Sequence, residues 1–211
     1  MKRIGVTFGC LLFAGVLFWL FPLFHIISTN DSVSLQHESE LSAAEFASTF
    51  WKDQLTPSLA NFPDAGAVLA ALIANPQSAQ AKFGRKVGVS RASLYVMRGS
   101  GTVVSVDKKG VGISLGSDSK LTDVMLQTGL LFGNTIRDAT GLLDASKFSD
   151  SRQFNEVSTE LNHIAEVEIV STLKQKVAVG RHITFAGCAE ISDQMEVSRP
   201  LTLIPLQVSI D

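Results

Sequence analysis

"GTVVSVDKKGVGISLG", residues 101–116, decides the fold class. Apolar residues recur at every second position on either side of a turn at Lys108–Gly110. Thr102, Val104 and Val106 share one face before it, and Val111, Ile113 and Leu115 share one face after it. That period predicts a β-hairpin. Just upstream, Gly99 and Gly101 suit a first strand that bends sharply, as small barrels require. Just downstream, "LTDVMLQTG" (121–129) reads as a third strand.

Beyond that strand the period lengthens. Between Phe154 and Leu173 a helix is expected, with Phe154, Val157, Leu161 and Ile164 or Ala165 on one side. Glu156 and Glu160 lie early in it and Lys174 and Lys176 late, as the helix dipole favours. "GRHITFAGCAEIS" (180–192) and "LTLIPLQVSI" (201–210) close the chain as two strands, with Ile183 and Phe185 alternating in the first. In the second, Leu201, Leu203, Leu206, Val208 and Ile210 are the apolar set, and their phase shifts by one at Ile204-Pro205, which predicts a bulge or an edge position. Three strands, a helix and two strands is the order of the OB-fold, the five-stranded Greek-key barrel.

Ahead of the strands, residues 41–90 read as helical. Ser42 and Glu45 form a capping box, with Leu41 placed to staple against Phe46 and with Phe50 and Trp51 turned inward. Pro57 and Pro63 are expected to break this helix. Asp64 caps a second one through Val68, Leu69, Leu72 and Ile73, while Asn75-Pro76 opens a third that Gly84 stops. The expected fold is α+β: a small helical subdomain (41–90) followed by an OB-like barrel with an inserted helix (91–211), behind an N-terminal transmembrane anchor.

That anchor rests on Ile4–Phe24, 21 residues without a charge, which as a helix would cover roughly 30 Å of hydrocarbon. Lys2 and Arg3 precede it, so the N-terminus is expected in the cytoplasm and the body in the periplasm, as a single-pass protein of the bacterial inner membrane. Residues 1–28 are then the signal anchor and 29–40, within the polar "STNDSVSLQHESE", a tether. Two alternatives stay open: a cleaved signal ending near Ser28, and a lipid-modified Cys10.

Composition narrows the function. The chain has 211 residues, 45% of them hydrophobic, with 18 basic and 20 acidic side chains. Setting Lys2 and Arg3 aside leaves 16 basic against 20 acidic groups, a balance unsuited to binding a polyanion. Tyr95 and Phe185 are the aromatics that the strands offer, too few for a stacking groove, so no nucleic acid is expected. Cys10 and Cys188 are too differently placed to pair, and Cys188 reads as a small buried hydrophobe.

Chemistry-bearing motifs are sparse. "GNTIRDATG" (133–141) gathers Asn134, Thr135, Arg137 and Asp138 between two glycines. One reading is a loop that hydrogen-bonds a small polar ligand or partner, Arg137 taking a carboxylate or phosphate in bidentate fashion; the other is capping of a short helix. Asn162 is a further ligand- or partner-binding candidate. Its neighbour His163 diverges from it by about 100° around a helix and is not expected in the same pocket. Asp144, Asp150 and Asn155 are polar neighbours of the same region. His25, His37, His163 and His182 lack zinc spacing, and Asp118 and Asp123 flank Lys120 rather than forming a calcium loop, so no metal or cofactor is expected. Ser117 and Lys120 match a Ser-x-x-Lys spacing without its companion motifs, and no catalytic constellation emerges; the chain is not expected to be an enzyme.

"FPLFHI" (21–26), "GSGTVVSVD" (99–107), "DVMLQTGLLFGNTIRDATGLL" (123–143), "FNEVSTELN" (154–162) and the two closing strands together resemble a bacterial family of predicted periplasmic lipoproteins, domain of unknown function 2291. The similarity covers most of the chain from residue 21. It implies extracytoplasmic placement, a helical subdomain joined to an OB-like one, and association with sugar-type transport systems; it implies no catalytic residues. The lipobox cysteine common in that family has no well-placed counterpart, since only Ile4–Gly9 precede Cys10. The function expected is a non-enzymatic, membrane-tethered periplasmic binding or accessory module, held by residues 4–24 and serving transporter subunits or a small polar solute. Oligosaccharide or oligonucleotide binding on the barrel is the alternative.

Overall fold

The structure is a computed structural model and describes residues 43–116, 121–148, 150–193, 197 and 199–211. The expected anchor, tether and Ser42–Glu45 capping box therefore lie outside the described residues, wholly or at their first member, as do Ser117 and Lys120. Among the described residues no helix is long and apolar enough to cross a membrane.

Five strands close into a barrel: β1 (Ala92–Val106), β2 (Gly110–Ser114), β3 (Val124–Gln127), β4 (His182–Ser192) and β5 (Leu201–Ile210). Their order around the barrel is β1-β2-β3-β5-β4. Neighbours run antiparallel except β3 and β5, which pair in parallel through Val124 and Leu201. β1 is long because it serves two neighbours, β4 along Ala92–Thr102 and β2 along Thr102–Val106. The bend between them falls at Gly101, where a Cβ would collide with the Ser114 carbonyl and the Ile113 side chain. The turn to β2 is held by Asp107, whose carboxylate accepts from Lys109 N at 2.7 Å and Gly110 N at 3.2 Å.

Two details of strand phase differ from the sequence reading. Near the hairpin β1 buries Val103 and exposes Val106, because Val103 continues the inward alternation of Tyr95 and Met97; the register against β2 shifts only after it, between Val103 and Ser105. On β5 a bulge does occur, but at Leu206: Gly187 faces Pro205 and Ala186 faces Gln207. Leu206 consequently packs outside the barrel, with the helices, and Val208 and Ile210 turn back to the interior.

The helices cover the barrel. α1 (43–61) runs from an α-helix into a π-helical turn at Trp51–Leu55, an α turn at Thr56–Ser58 and a 3-10 turn at Leu59–Asn61. Pro57 does not break it, contrary to expectation. A proline inside a regular α-helix clashes with the carbonyl four residues back, and the widened π turn immediately before it removes that contact. Pro63 does end it. Asp64 then caps α2 (Ala65–Ala74) by accepting from Ala67 N at 3.0 Å, and Asn75 caps α3 (Pro76–Phe83) by accepting from Ser78 N at 2.9 Å. After β3 come the short α4 (Thr135–Ala139) and then α5 (151–176), built from Ser151–Ile164, a π turn Ala165–Val170 and Ser171–Lys176. Asp150 caps α5 through Gln153 N at 2.8 Å, and Asp144 caps the 3-10 turn Ala145–Lys147.

Apolar burial falls into two clusters. One fills the barrel: Met97, Val103, Ile113, Val124, Leu126, Ile183, Phe185 and Leu203, closed off by Val68, Leu69 and Leu72 of α2 and Leu173 of α5. The other lies outside β1, β4 and β5, where Val96, Ala186, Cys188 and Leu206 meet Phe50, Trp51 and Leu55 of α1, Ile136 of α4 and Leu161, Ala165 and Val170 of α5. Both clusters draw on residues from either side of position 90, and Glu40–Asp211 form one compact unit. Cys188 belongs to the second. Burial pushes its thiol up to about 12, so almost no thiolate exists at neutral pH. Alkylation by iodoacetamide at Cys188 is therefore expected to follow global unfolding in denaturant; labelling at the native rate of a free thiol would refute this packing.

Candidate functional site

The polar loop after β3 and one face of α5 form a cleft of about 380 Å³. From the loop come Leu130, Leu131, Phe132, Gly133 and Asn134. From α5 come Asn155, Ser158, Thr159, Asn162, His163 and Glu166. Those six follow the i, i+3, i+4, i+7 spacing of a helical stripe, opposite the apolar stripe of Val157, Leu161 and Ala165. His163 thus joins Asn162 at the cleft, contrary to the sequence reading. A cleft running lengthwise along a helix takes two adjacent ridges, and 100° of divergence still lies within the half-cylinder facing it.

The loop is fastened at both ends of the cleft. Glu166 accepts from Leu131 N at 2.5 Å, and the Asn162 amide nitrogen donates to the Gly133 carbonyl at 3.0 Å. Gly133 takes φ +83°, a left-handed turn suited to glycine. With Leu131 held inward, its neighbours Leu130 and Phe132 point out, 69% and 76% exposed. The bond to Gly133 also fixes which end of the Asn162 amide is which, since a carbonyl needs a donor. Its Oδ1 is then buried without a hydrogen-bond partner among the described residues, an uncommon condition that calls for an explanation.

Arg137 and Asp138 do different work. Arg137 is 6% exposed. Its Nε and Nη2 donate to the two carboxylate oxygens of Asp138 at 2.7 and 2.9 Å, and its Nη1 donates to the Phe154 carbonyl and Asn155 Oδ1 at 3.3 and 3.1 Å. The guanidinium lies 3.7 Å above the Phe154 ring centroid, a cation–π contact. The fork that was a candidate for an anion is thus filled by the neighbouring carboxylate and clamps α4 onto the start of α5. Thr135 Oγ1 donates weakly to Glu190 at 3.4 Å. Thr135, Asp138 and Glu190 line a second hollow of about 310 Å³ on the other side of Asn134, which borders both. The structure therefore gathers Asn134 and Asn162 at one cleft, sets Thr135 and Asp138 on the adjoining hollow, and buries Arg137 between elements.

A polar cluster around Asp193 is structural. Asp193 accepts from Gln80 at 2.6 Å, Lys86 at 2.9 Å and Ser93 at 3.3 Å, tying the end of β4 to α3 and β1. The hydrogen bond from Lys86, foremost, holds its carboxyl below the usual range. Tyr95 and Phe185 are 3% and 2% exposed inside the barrel, so neither supplies a stacking surface. Among the described residues no group of three His, Cys, Asp or Glu could hold a metal ion.

The sequence reading passed over the α5 stripe; its signal was the run of short polar residues at Asn155, Ser158, Thr159 and Asn162, in phase with one another and out of phase with the apolar side. Comparison with known proteins agrees with the barrel. A crystal structure of an OB-fold protein from Thermotoga maritima is similar, with 29% sequence identity, a TM-score of 0.72, and coverage of 80% of this chain and 98% of that one. No curated protein matches. The family model for predicted periplasmic lipoproteins, domain of unknown function 2291, matches residues 14–209, and the chain belongs to that family.

Proposed function

We propose that this protein is a non-enzymatic accessory module of the bacterial envelope, held at the inner membrane by residues 4–24, that binds a small polar solute or a transporter subunit at the cleft between the β3–α4 loop and α5. A solute transport system of the ABC type is the partner this reading favours. The observation that carries it is the juxtaposition at one cleft of exposed Leu130 and Phe132 with a buried acceptor on Asn162 that has no partner among the described residues. Exposed apolar side chains grouped beside a polar cleft mark interaction sites more often than bare surface. Membership of a periplasmic lipoprotein family supports the location. The burial of Tyr95 and Phe185 speaks against oligonucleotide stacking on the sheet.

The test is co-purification of the full chain from membranes after cross-linking, with permease and ATPase subunits identified by mass spectrometry. The double variant Leu130→Ser, Phe132→Ser changes exposed positions and is expected to shift stability by no more than about 0.5 kcal/mol while reducing recovery of those subunits at least tenfold. Equal recovery from parent and variant would overturn the assignment of the cleft.

A further inference from the structure

A groove of about 640 Å³ shares no lining residue with the loop cleft. Its floor is the outer face of β1, β4 and β5 and its wall is the last turns of α1, through Thr56, Pro57, Leu59 and Ala60. Register orders the floor. Ser100 stands opposite Thr184 and Thr184 opposite Ser209, which places three exposed hydroxyls in one row across three strands. At the usual strand separation of about 4.8 Å the row spans roughly 10 Å. Two residues along, on the same face, the next row reads Arg98, Ala186 and Gln207.

The depth of the groove follows from short side chains. Exposed Ser100, Thr184 and Ser209 carry short side chains, and beside them Gly99 and the buried Ala186 add no bulk, so the volume is left open. The two charged lining residues are joined through their backbones: Asp64 and Arg98 form a parallel β-bridge, with Arg98 N donating to the Pro63 carbonyl at 3.0 Å. Arg98 Nε donates to the Phe62 carbonyl at 3.1 Å, and Asp64 Oδ1 accepts from Ala67 N at 3.0 Å. Each group is thereby positioned by one bond and keeps further donors or acceptors on its planar end.

Hydroxyls donate and accept, as does the Gln207 amide, and one carboxylate with one guanidinium on the lining leaves no net charge to select an anion or a cation. The complement of this surface is an uncharged molecule carrying several hydroxyls a few ångströms apart. We propose that the groove is a binding site for a neutral polyhydroxylated small molecule, of the polyol or saccharide class, with Thr184 at its centre. The site is independent of the loop cleft.

Saturation-transfer NMR tests it on the full chain in nanodiscs, with sorbitol, glucose and maltotriose as probes and citrate and putrescine as charged comparators. Transfer to at least one polyhydroxylated probe is expected, with the dissociation constant raised at least fivefold by Thr184→Val and by Gln207→Leu. Both are exposed positions, and an unchanged thermal melt verifies that the fold is kept. The loop variant Leu130→Ser, Phe132→Ser is expected to leave probe binding unchanged. Transfer to no polyhydroxylated probe, transfer indifferent to the two groove substitutions, stronger transfer to citrate or putrescine, or loss of probe binding in the loop variant would each overturn the assignment. The last of these would move the solute to the loop cleft, so this proposal and the preceding one fail separately.

Discussion

Replacing Arg137 with alanine is expected to cost about 3 kcal/mol of folding stability, the range for removing one partner of a buried ion pair. Three of its nitrogens are engaged, to Asp138, to the Phe154 carbonyl and to Asn155, and its plane covers the Phe154 ring. Truncation strands the Asp138 carboxylate, whose side chain is only 16% exposed, and uncovers the face of Phe154 that the guanidinium had shielded. Lysine keeps the charge but cannot reproduce the fork or the stacking, so Arg137→Lys should recover less than half of the loss. Urea unfolding measures both: the midpoint falls while the slope stays constant, because the same surface is exposed on unfolding. A variant as stable as the parent would return Arg137 to the surface role that its loop setting suggests.

The second large effect is expected at Gly101. The strand bends there to pass from β4 to β2, and a Cβ would run into the Ser114 carbonyl and the Ile113 methyl. Neither neighbour yields cheaply, since one is backbone in the facing strand and the other sits in the filled barrel. Gly101→Val should therefore cost about 3 kcal/mol or more, at or beyond the upper end of overpacking penalties. At nearby Gly88, φ is +58° and nothing lies within 4 Å of a Cβ. Gly88→Ala should lose only the backbone preference, a third or less of that cost. Melting temperatures of the two variants, compared side by side, separate close approach from backbone freedom as the reason for Gly101. Equal losses would sink the argument.

Much of the architecture was legible because its signals are local. Strand alternation at Val111 and Ile113, the caps at Asp64 and Asn75, and the dipole-matched ends of α5 each act within a few residues. What escaped was set by neighbours distant in sequence. The phase of β1 is set where it pairs with β4, far along the chain, so Val103 follows Tyr95 and Met97 inward rather than Val104. Pro57 looked like a helix breaker because nothing in its own neighbourhood announces the π turn that accommodates it. Arg137 looked available because Phe154 and Asn155, which engage it, lie on another element. The hydroxyl row of Ser100, Thr184 and Ser209 is invisible until three strands are set in register. Helical periodicity in α5 was readable on both sides, but the apolar stripe drew the reading, and of the polar one Asn162 alone was singled out as a binding candidate while Ser158, Thr159 and Glu166 were not.

The parallel pairing of Val124 with Leu201 carries a consequence for how the chain is made. β5 is the last of the five strands in chain order and the seal between β3 and β4, so until Leu201–Ile210 emerge, two rows of backbone donors and acceptors await a partner. Contacts so remote along the polypeptide close slowly, and unsatisfied strand margins invite association with other nascent chains in the interval. Deleting Leu201–Ile210 should accordingly yield insoluble material rather than a smaller soluble protein, and holdase chaperones should matter most while β5 has yet to dock.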